Sequence, residues 1–203
     1  MDPLEFQNRT NVSRETLDRL GRYVELLLSW QRAVNLVGPG TLNDVWSAHI
    51  LDCAQLLPHL PPAARSLIDI GSGAGLPGLV LAIMGHPGVH LVEKDGRKCE
   101  FLREAARITR TQVQIHNVRI EDMKPFPVDV VTARACAPLD KLLRYSAPFL
   151  GKSGVCVYLK GSRWESELTQ AKKSWNIVCA AFRSTSSRHG SILRIRQEEN
   201  GLG

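Results

Sequence analysis

The sequence contains no long apolar run. No stretch of its 203 residues reaches the roughly 18 consecutive apolar residues that a membrane-spanning helix requires. The first five residues, which begin with Met1 and Asp2, also lack the basic region and apolar run of a secretory signal. We therefore expect a cytoplasmic protein that does not associate with a membrane.

Cysteine pairs are absent as well. The five cysteines are scattered and odd in number, and they form neither a CxxC pair nor a Cys/His pattern with zinc spacing. This pattern excludes a disulfide-stapled scaffold and predicts reduced thiols and no bound metal. Internal repeats and low-complexity segments are also missing, which argues against a solenoid.

Acidic residues are scarce only in the last third of the chain. Residues 1–140 hold 15 Lys and Arg against 16 Asp and Glu, whereas residues 141–203 hold 11 against 4, so the formal net charge of +6 comes from the C-terminal part. Such an excess indicates a surface that faces a polyanion, although charge alone does not separate nucleic acid from a membrane or a solubilising face. The length fits one α/β domain, and we expect a monomer.

Helical patterns fill the first part of the chain, and strand patterns begin only after them. Apolar residues at helical spacing predict one helix from Ser13 to Ala33 and a second from Asn43 to Leu57, before Pro58. We expect residues 1–62 to form an N-terminal helical cap on a catalytic domain of residues 63–203, the two making one compact unit.

From residue 66 short apolar runs alternate with helical segments. Strands are predicted at 66–70, 89–93, 112–116, 128–133 and 155–160, with helices at 77–84, 96–108, 138–150 and 163–174. This alternation predicts a parallel sheet covered by helices on both faces. Two further apolar runs, 177–182 and 192–195, predict a terminal antiparallel hairpin. We therefore expect the α/β class with a mostly parallel seven-stranded sheet. Five parallel strands that end in such a hairpin resemble the Rossmann-like class I methyltransferase fold more than a six-stranded dinucleotide domain.

The strongest local motif is DIGSGAGLPG at residues 69–78, between a predicted strand and a predicted helix. Gly71, Gly73 and Gly75 allow backbone conformations closed to other residues and let a ligand approach the main chain. Residues 73–78 also read GxGxxG, so a dinucleotide site has to be considered.

Two carboxylates bear on the choice of cofactor. Asp69 ends the first strand, where we expect its carboxylate to face the ammonium group of a ligand and to repel a pyrophosphate. Glu93 ends the second strand and is placed to accept hydrogen bonds from both ribose hydroxyls of an adenosine, as in NAD enzymes. Asp69 and the terminal hairpin therefore favour S-adenosylmethionine over NAD.

Along nearly its whole length the sequence resembles the RsmG (GidB) family, bacterial 16S rRNA 7-methylguanosine methyltransferases. The resemblance rests on the order and spacing of Trp30 with residues 35–37, residues 49–52, the glycine loop, Glu93, residues 117–121, residues 134–139 (RACAPL) and Lys160-Gly161. It implies methyl transfer from S-adenosylmethionine to N7 of a specific guanine. The implied partner is 16S rRNA or an assembly intermediate of the small ribosomal subunit.

The resemblance also implies particular site residues. Cofactor contacts are implied at Gly71, Gly73, Leu76, Glu93, Ile120, Glu121 and Arg134. Functional cations near the RNA or the methyl-transfer centre are implied at Arg119, Arg134 and Lys160. Because each of these three follows or ends a predicted strand, we expect them to gather at the carboxyl edge of the sheet. Flanking phosphate contacts are expected from Lys141, Arg144, Lys152, Arg163, Lys172 and Lys173.

Guanine N7 carries an in-plane lone pair, so its attack on a sulfonium methyl group needs no general base. The expected contribution of the protein is alignment of the reacting groups. A cation beside the base is expected to donate to O6 only, because a bond to N7 would occupy the reacting lone pair.

Other residues and other functions are weaker alternatives. Cys136 lacks the Pro-Cys context of a cytosine-methylating nucleophile and is expected to be a buried small hydrophobe. His49 with Asp52 is expected to make a structural hydrogen bond to the glycine loop. Residues 133–138 contain no NPPY or DPPY, which argues against amino-group methylation. An NAD(P)-dependent oxidoreductase and an RNA-binding module with a vestigial pocket remain the competing classes, although Gly71 and Gly73 are both intact.

Overall fold

The computed structural model describes residues 1–134 and 136–198, and its first elements are two helices. Helix α1 spans Pro3–Thr10 and is capped by Asp2, whose side chain accepts the Glu5 N–H at 2.8 Å. Helix α2 spans Arg14–Trp30, and the hydroxyl of Ser13 caps it as the sequence predicts. Helix α1 was not predicted, because Phe6 is its only buried residue and a single apolar position gives no periodicity.

The predicted helix at 43–57 is a chain of short, differently wound turns. A 3₁₀ turn at Pro39–Asp44 leads into a wide π-helical turn at Trp46–Leu51, then into the short helix α3 at Asp52–Ala54 and a 3₁₀ turn at Leu57–His59. Wide turns of this kind are often found at functional sites, because the extra residue per turn redirects the side chains. Here they direct His49 and Asp52 towards the sheet.

Seven strands form one sheet, as predicted. They are β1 at Leu67–Ile70, β2 at Val89–Val92, β3 at Val113–His116, β4 at Val128–Arg134, β5 at Leu150–Lys160, β6 at Ile177–Arg183 and β7 at Ser191–Gln197. The strand order is β3-β2-β1-β4-β5-β7-β6, with β1 to β5 parallel and β7 antiparallel to both neighbours. The class I methyltransferase fold expected from the sequence is confirmed. Strand β5 begins earlier than predicted, because residues 150–154 lack an apolar pattern and pair with β4 through a register shift.

Helices cover both faces of the sheet. Helix α4 spans Gly78–Ile83, α5 Gly96–Ile108, α6 Leu139–Ser146 and α7 Trp164–Ala171. The N-terminal helices, α4 and α5 share one apolar cluster with alternate strand residues such as Leu67 and Val130, and α6 and α7 share the other with Ile68 and Val131. No helix in the described ranges is long and apolar enough to cross a membrane.

The strand order fixes where a ligand can bind. It reverses between β1 and β4, and in parallel sheets the loops at such a reversal diverge and leave a crevice beyond the carboxyl ends of the strands. Ala135, within the RACAPL segment, lies outside the described residues, as do residues 199–203 of the predicted catalytic domain.

Candidate active site

A cavity of about 510 Å³ lies at the carboxyl ends of β1, β2 and β4. Seven of the ten site residues expected from the sequence line it: Gly71, Gly73, Glu93, Arg119, Ile120, Glu121 and Arg134. Asp69, Leu76 and Lys160 do not line it. Leu36 from the N-terminal segment also contributes to its wall and was not predicted. We call this space the first cavity.

The glycine loop forms the floor of the first cavity. Gly71, Gly73 and Gly75 have φ of +69°, +56° and +87°, the left-handed region that favours glycine. The N–H groups of Gly71 and Ser72 both donate to the Val92 carbonyl at 3.0 Å, which ties the loop to the end of β2. A Cβ at Gly71 would lie 3.1 Å from Cβ of Cys136, so a side chain there would fill space between the two loops.

Glu93 is held in place by two backbone groups. Its Oε2 accepts the Gly73 N–H at 2.9 Å and its Oε1 accepts the Asp95 N–H at 2.8 Å. A carboxylate has about four acceptor positions. These two bonds therefore fix the orientation of Glu93 and leave acceptor capacity for donors within the cavity.

Asp69 does not line the first cavity, and its expected contact with a ligand's ammonium group stays a prediction. Its side chain is fully buried, with Oδ1 accepting the Thr132 hydroxyl at 2.9 Å and Oδ2 accepting the Gly78 N–H at 3.2 Å. Burial raises the pKa of this carboxyl to about 6. Gly78 is required at this point, because a Cβ there would lie 2.6 Å from Cβ of Asp69. Through its bond to the Gly78 N–H, Asp69 supports the start of α4.

Leu76 also points away from the first cavity. Its side chain is buried in the apolar cluster that joins the N-terminal helices to the sheet. Nearby, the Tyr23 hydroxyl donates to the Ala74 carbonyl at 2.7 Å, so helix α2 holds the glycine loop from the outside. The sequence analysis missed Tyr23, although it lies three residues after Leu20 on the apolar stripe of α2.

The opposite wall of the first cavity carries exposed polar groups. Arg119 is exposed and precedes the 3₁₀ turn Ile120–Asp122. Glu121 accepts the hydroxyl of Tyr145 at 2.5 Å, and this hydrogen bond is the main cause that lowers the Glu121 pKa. The ammonium group of Lys141 lies 5.4 Å from the centre of the Tyr145 ring. This wall therefore presents cations beside a hydrogen-bonded carboxylate.

Arg134 is enclosed by the N-terminal segment. Its Nη2 donates to the Ala48 carbonyl at 3.1 Å and to Nδ1 of His49 at 2.7 Å, and its Nη1 lies 3.4 Å from Oδ2 of Asp52. Since the Thr41 hydroxyl donates to the Gly38 carbonyl, it accepts from Nε2–H of His49, which leaves Nδ1 free to accept from Arg134. Burial, followed by the charge of Arg134, lowers the His49 pKa to about 4.

His49 and Asp52 therefore hold Arg134, and the expected hydrogen bond from this pair to the glycine loop is replaced by that contact. Asp52 also accepts the Ser186 hydroxyl at 2.5 Å, in the loop between β6 and β7. Gln55 reinforces the same connection by accepting the Thr185 N–H at 2.8 Å. Arg134 thus links the N-terminal segment, the end of β4 and the terminal hairpin.

Lys160 lies at the carboxyl edge of the sheet, as predicted, but in a second cavity of about 380 Å³. This second cavity shares Cys136 and Ala137 with the first. The Lys160 ammonium donates to the Ala137 carbonyl at 2.9 Å and lies 2.6 Å from Oε2 of Glu167, which was not predicted. Only Arg119 of the three expected cations is exposed. The other two are paired because carboxylates from the N-terminal segment and from α7 reach them.

Cys136 is exposed where the two cavities meet, so the expectation that it is buried is wrong. Its thiol donates to the Ile70 carbonyl at 3.4 Å, which joins the loop after β4 to the end of β1. Within the described residues no three His, Cys, Asp or Glu side chains cluster as metal ligands.

The amino-acid sequence matches the GidB family, described as rRNA small subunit methyltransferase G, over residues 16–194. Two similar proteins carry the name ribosomal RNA small subunit methyltransferase G. The one from Paramagnetospirillum magneticum is 52% identical over 201 residues, 99% of this chain and 98% of the relative. The one from Rhodospirillum rubrum is 54% identical over 195 residues, 96% of this chain and 97% of the relative.

Solved structures share the fold at low sequence identity. The ribosomal protein L11 methylase from Lactobacillus delbrueckii subsp. bulgaricus is 14% identical with a TM-score of 0.62, covering 80% of this chain and 84% of that one. The glycopeptide N-methyltransferase MtfA, solved with S-adenosyl-L-methionine, is 7% identical with a TM-score of 0.64, covering 74% and 94%. At these identities the likeness concerns the architecture alone.

Proposed function

The chain belongs to the GidB family of small-subunit rRNA methyltransferases, and on this premise we propose that it transfers a methyl group from S-adenosylmethionine to N7 of a guanine in 16S rRNA. The observation that carries the proposal is the pair of adjoining cavities at the carboxyl edge of the sheet. One is built on a glycine loop and a fixed carboxylate, and the other contains a buried cation. A methyl donor and a base can therefore meet at the shared residues Cys136 and Ala137.

The first cavity fits S-adenosylmethionine. Glu93 retains acceptor capacity for the two ribose hydroxyls while its own orientation is fixed by Gly73 and Asp95. Gly71 leaves the backbone accessible where a side chain would press against Cys136. We assign the adenine end to Ile120 and Glu121 and the remaining contacts to Gly71, Gly73 and Arg134. Any contact from Leu76 would come from its backbone, because its side chain is buried in the core.

When bound, S-adenosylmethionine supplies a methyl group activated by its positively charged sulfur. The protein has to hold guanine N7 in line with that methyl group, and such alignment contributes up to about 7–11 kcal/mol in well-oriented reactions. The N7 lone pair needs no deprotonation, so a general base is not required. We infer that the buried bonds of Arg134 and Lys160 keep the walls of the two cavities rigid, which is what alignment demands.

We propose 16S rRNA, alone or in an assembly intermediate of the small subunit, as the partner, with the chain acting as a monomer. The exposed cation Arg119 is suited to an RNA phosphate. Lys141 lines the first cavity and Arg163 lines the second, so RNA contacts would continue along both. Residues 1–62 and 63–203 would act as one unit, because His49 and Asp52 of the first part hold Arg134 of the second.

Chemical cleavage of rRNA at 7-methylguanosine tests the proposal. We expect 16S rRNA from cells with the gene to be cleaved at one guanosine after reduction, and rRNA from cells without it to stay intact there. Cleavage should return when the wild-type gene or the Glu100→Ala variant is added back, because Glu100 is an exposed residue on α5. The Glu93→Ala variant should not restore it. Unchanged cleavage after deletion of the gene would refute the assigned substrate.

An oxidoreductase on the same glycine loop is tested separately. Purified protein is titrated with S-adenosylmethionine and with NADH. We expect it to bind S-adenosylmethionine and to show no binding of NADH. Selective binding of NADH would overturn the cofactor assignment.

A further inference from the structure

The second cavity contains an ion pair with unused hydrogen-bonding capacity. Lys160 and Glu167 both line it, with side chains 6% and 21% exposed. Oε2 of Glu167 meets the Lys160 ammonium and also accepts the Leu139 N–H at 2.8 Å. Among the described residues no hydrogen bond engages Oε1 of Glu167, and the bonds to Ala137 and Glu167 occupy two of the three ammonium protons of Lys160.

This combination is complementary to guanine. The Watson–Crick edge of guanine presents the O6 acceptor beside two donors, N1–H and the N2 amino group. A donor at Lys160 and an adjacent acceptor at Glu167 match that order. Adenine presents the reverse, an amino group followed by an acceptor, and would meet like groups at both positions. Unpaired buried polar groups of this kind make a site reject the wrong ligand strongly.

The position of the pair also suits the reaction. N7 lies on the Hoogsteen edge of guanine, whereas N1–H and the N2 amino group lie on the Watson–Crick edge. A base held through O6 and its Watson–Crick edge therefore keeps the N7 lone pair free. Cys136 and Ala137 line both cavities, so the two cavities adjoin at these residues. A base in the second cavity can therefore present N7 to the methyl donor without an Arg or Lys bond to N7.

Resting on the proposed function, we propose that Glu167 is the residue that selects guanine as the methyl acceptor. Its carboxylate accepts from N1–H and the N2 amino group, while Lys160 donates to O6. A purely structural role, in which Glu167 only holds Lys160 and the start of α6, is the opposing hypothesis. The two differ in whether the effect of Glu167 depends on the N2 amino group of the substrate.

A double-mutant cycle between enzyme and RNA separates the two roles. The substrate is 16S rRNA joined from fragments so that the target guanosine is either retained or replaced with inosine, which keeps O6, N1–H and N7 but lacks the amino group. Transfer of labelled methyl groups gives kcat/KM. We expect inosine to lower kcat/KM of the wild type by roughly 5- to 150-fold, the range for one good base contact. For the Glu167→Gln variant we expect kcat/KM on the guanosine substrate to fall by a similar factor. Replacing guanosine with inosine should then lower kcat/KM of this variant only slightly further.

The control variant is Glu165→Gln, on the same helix but exposed, which should keep both the wild-type rate and the wild-type loss on inosine. If the change from guanosine to inosine lowers kcat/KM of Glu167→Gln by the same factor as in the wild type, Glu167 does not contact the amino group and the proposal is wrong. Should Glu167→Gln fail to fold, Glu167→Asp replaces it, since it keeps a charge for Lys160 but withdraws the carboxylate by one methylene. Absence of any methyl transfer by the wild type would instead refute the proposed function itself.

Discussion

Replacing Asp69 with Asn should change how the stability of the protein depends on pH. Burial raises the pKa of the Asp69 carboxyl from its ordinary 3.8 to about 6, against the opposing effect of the bonds from Thr132 and Gly78. The folded state therefore holds this proton more tightly than the unfolded state does. The wild type must lose stability as the pH rises from the unfolded pKa through the folded pKa.

The size of the effect follows from the shift. Two pKa units correspond to about 3 kcal/mol in total, of which about 2 kcal/mol falls between pH 4.5 and 7.5. Asp69→Asn removes the charge. Its amide NH2 group cannot accept a hydrogen bond, so one of the two donors, Thr132 or Gly78, loses its acceptor. That mismatch is an offset that does not vary with pH, so the slope isolates the carboxylate.

Urea unfolding of both proteins at pH 4.5, 5.5, 6.5 and 7.5 measures the difference in unfolding free energy. We expect the wild type to lose about 2 kcal/mol relative to Asp69→Asn across this window. A difference that stays constant, or that moves in favour of the wild type, would show that the hydrogen bonds outweigh burial and would refute the reasoning.

Asp129→Asn is the matched control. Asp129 is exposed, and its carboxylate accepts from the backbone of Arg65 and Ser66, which lowers its pKa below the ordinary 3.8. The stability that this residue contributes is therefore complete above the ordinary value and is lost only at lower pH. The difference between the wild type and Asp129→Asn should stay nearly constant from pH 4.5 to 7.5.

Three further substitutions test the supports and the RNA surface. Tyr23→Phe leaves the buried Ala74 carbonyl without its donor and should cost about 1–3 kcal/mol in calorimetric melting; an unchanged Tm would contradict the role of this bond. Gly75→Ala places a Cβ 2.6 Å from a side-chain carbon of α4 at a positive φ, so overpacking alone should cost about 1–3 kcal/mol, whereas Gly21→Ala, with open space around it, should be neutral or stabilising. Arg119→Ala should weaken RNA binding and reduce the slope of log K against log salt by about 1. An unaltered slope would remove Arg119 from the phosphate contacts.

Local patterns were sufficient to predict the sheet and the glycine loop. Strand β2 and helix α5 lie where apolar spacing predicted them, at 89–93 and 96–108. The positive φ at Gly71, Gly73 and Gly75 follows from residue type, because glycine adopts positive φ without the steric cost that other residues meet. The seven expected residues that line the first cavity were predictable from their place in the chain, because each lies at the end of a predicted strand or in the segment that follows one.

Side-chain directions at the site could not be predicted in this way. Asp69 is the last residue but one of β1, and alternation alone does not say whether its carboxylate faces the ligand or the first turn of α4. The structure resolves this through Gly78, whose missing side chain leaves room for that carboxylate. A glycine at the start of a predicted helix was the available signal, but Gly78 was considered only as the last residue of the GxGxxG pattern.

The pairing of the cations depends on chain segments far away in sequence. Arg134 meets Asp52 across more than 80 residues, a contact that only the packing of the N-terminal segment creates. Lys160 meets Glu167 across a short turn, but no pattern in the sequence indicates that α7 directs Glu167 towards Lys160. A count of charged residues includes Lys160 as if it had no partner, although Glu167 pairs with it. The basic excess of the C-terminal part therefore overstates the positive charge available to RNA.

Residues from outside the strands hold three parts of the site. Tyr23 holds the glycine loop, Asp52 and His49 hold Arg134, and Glu167 holds both Lys160 and the start of α6. A reaction without a general base gains nothing from a titrating side chain, but it loses rate if the base and the methyl donor can shift against each other by about 1 Å. Burying the cations in ion pairs reduces their attraction for RNA and increases the rigidity of the walls they form. The arrangement is therefore the one expected for a catalyst that works by alignment, with RNA attraction left to exposed groups such as Arg119.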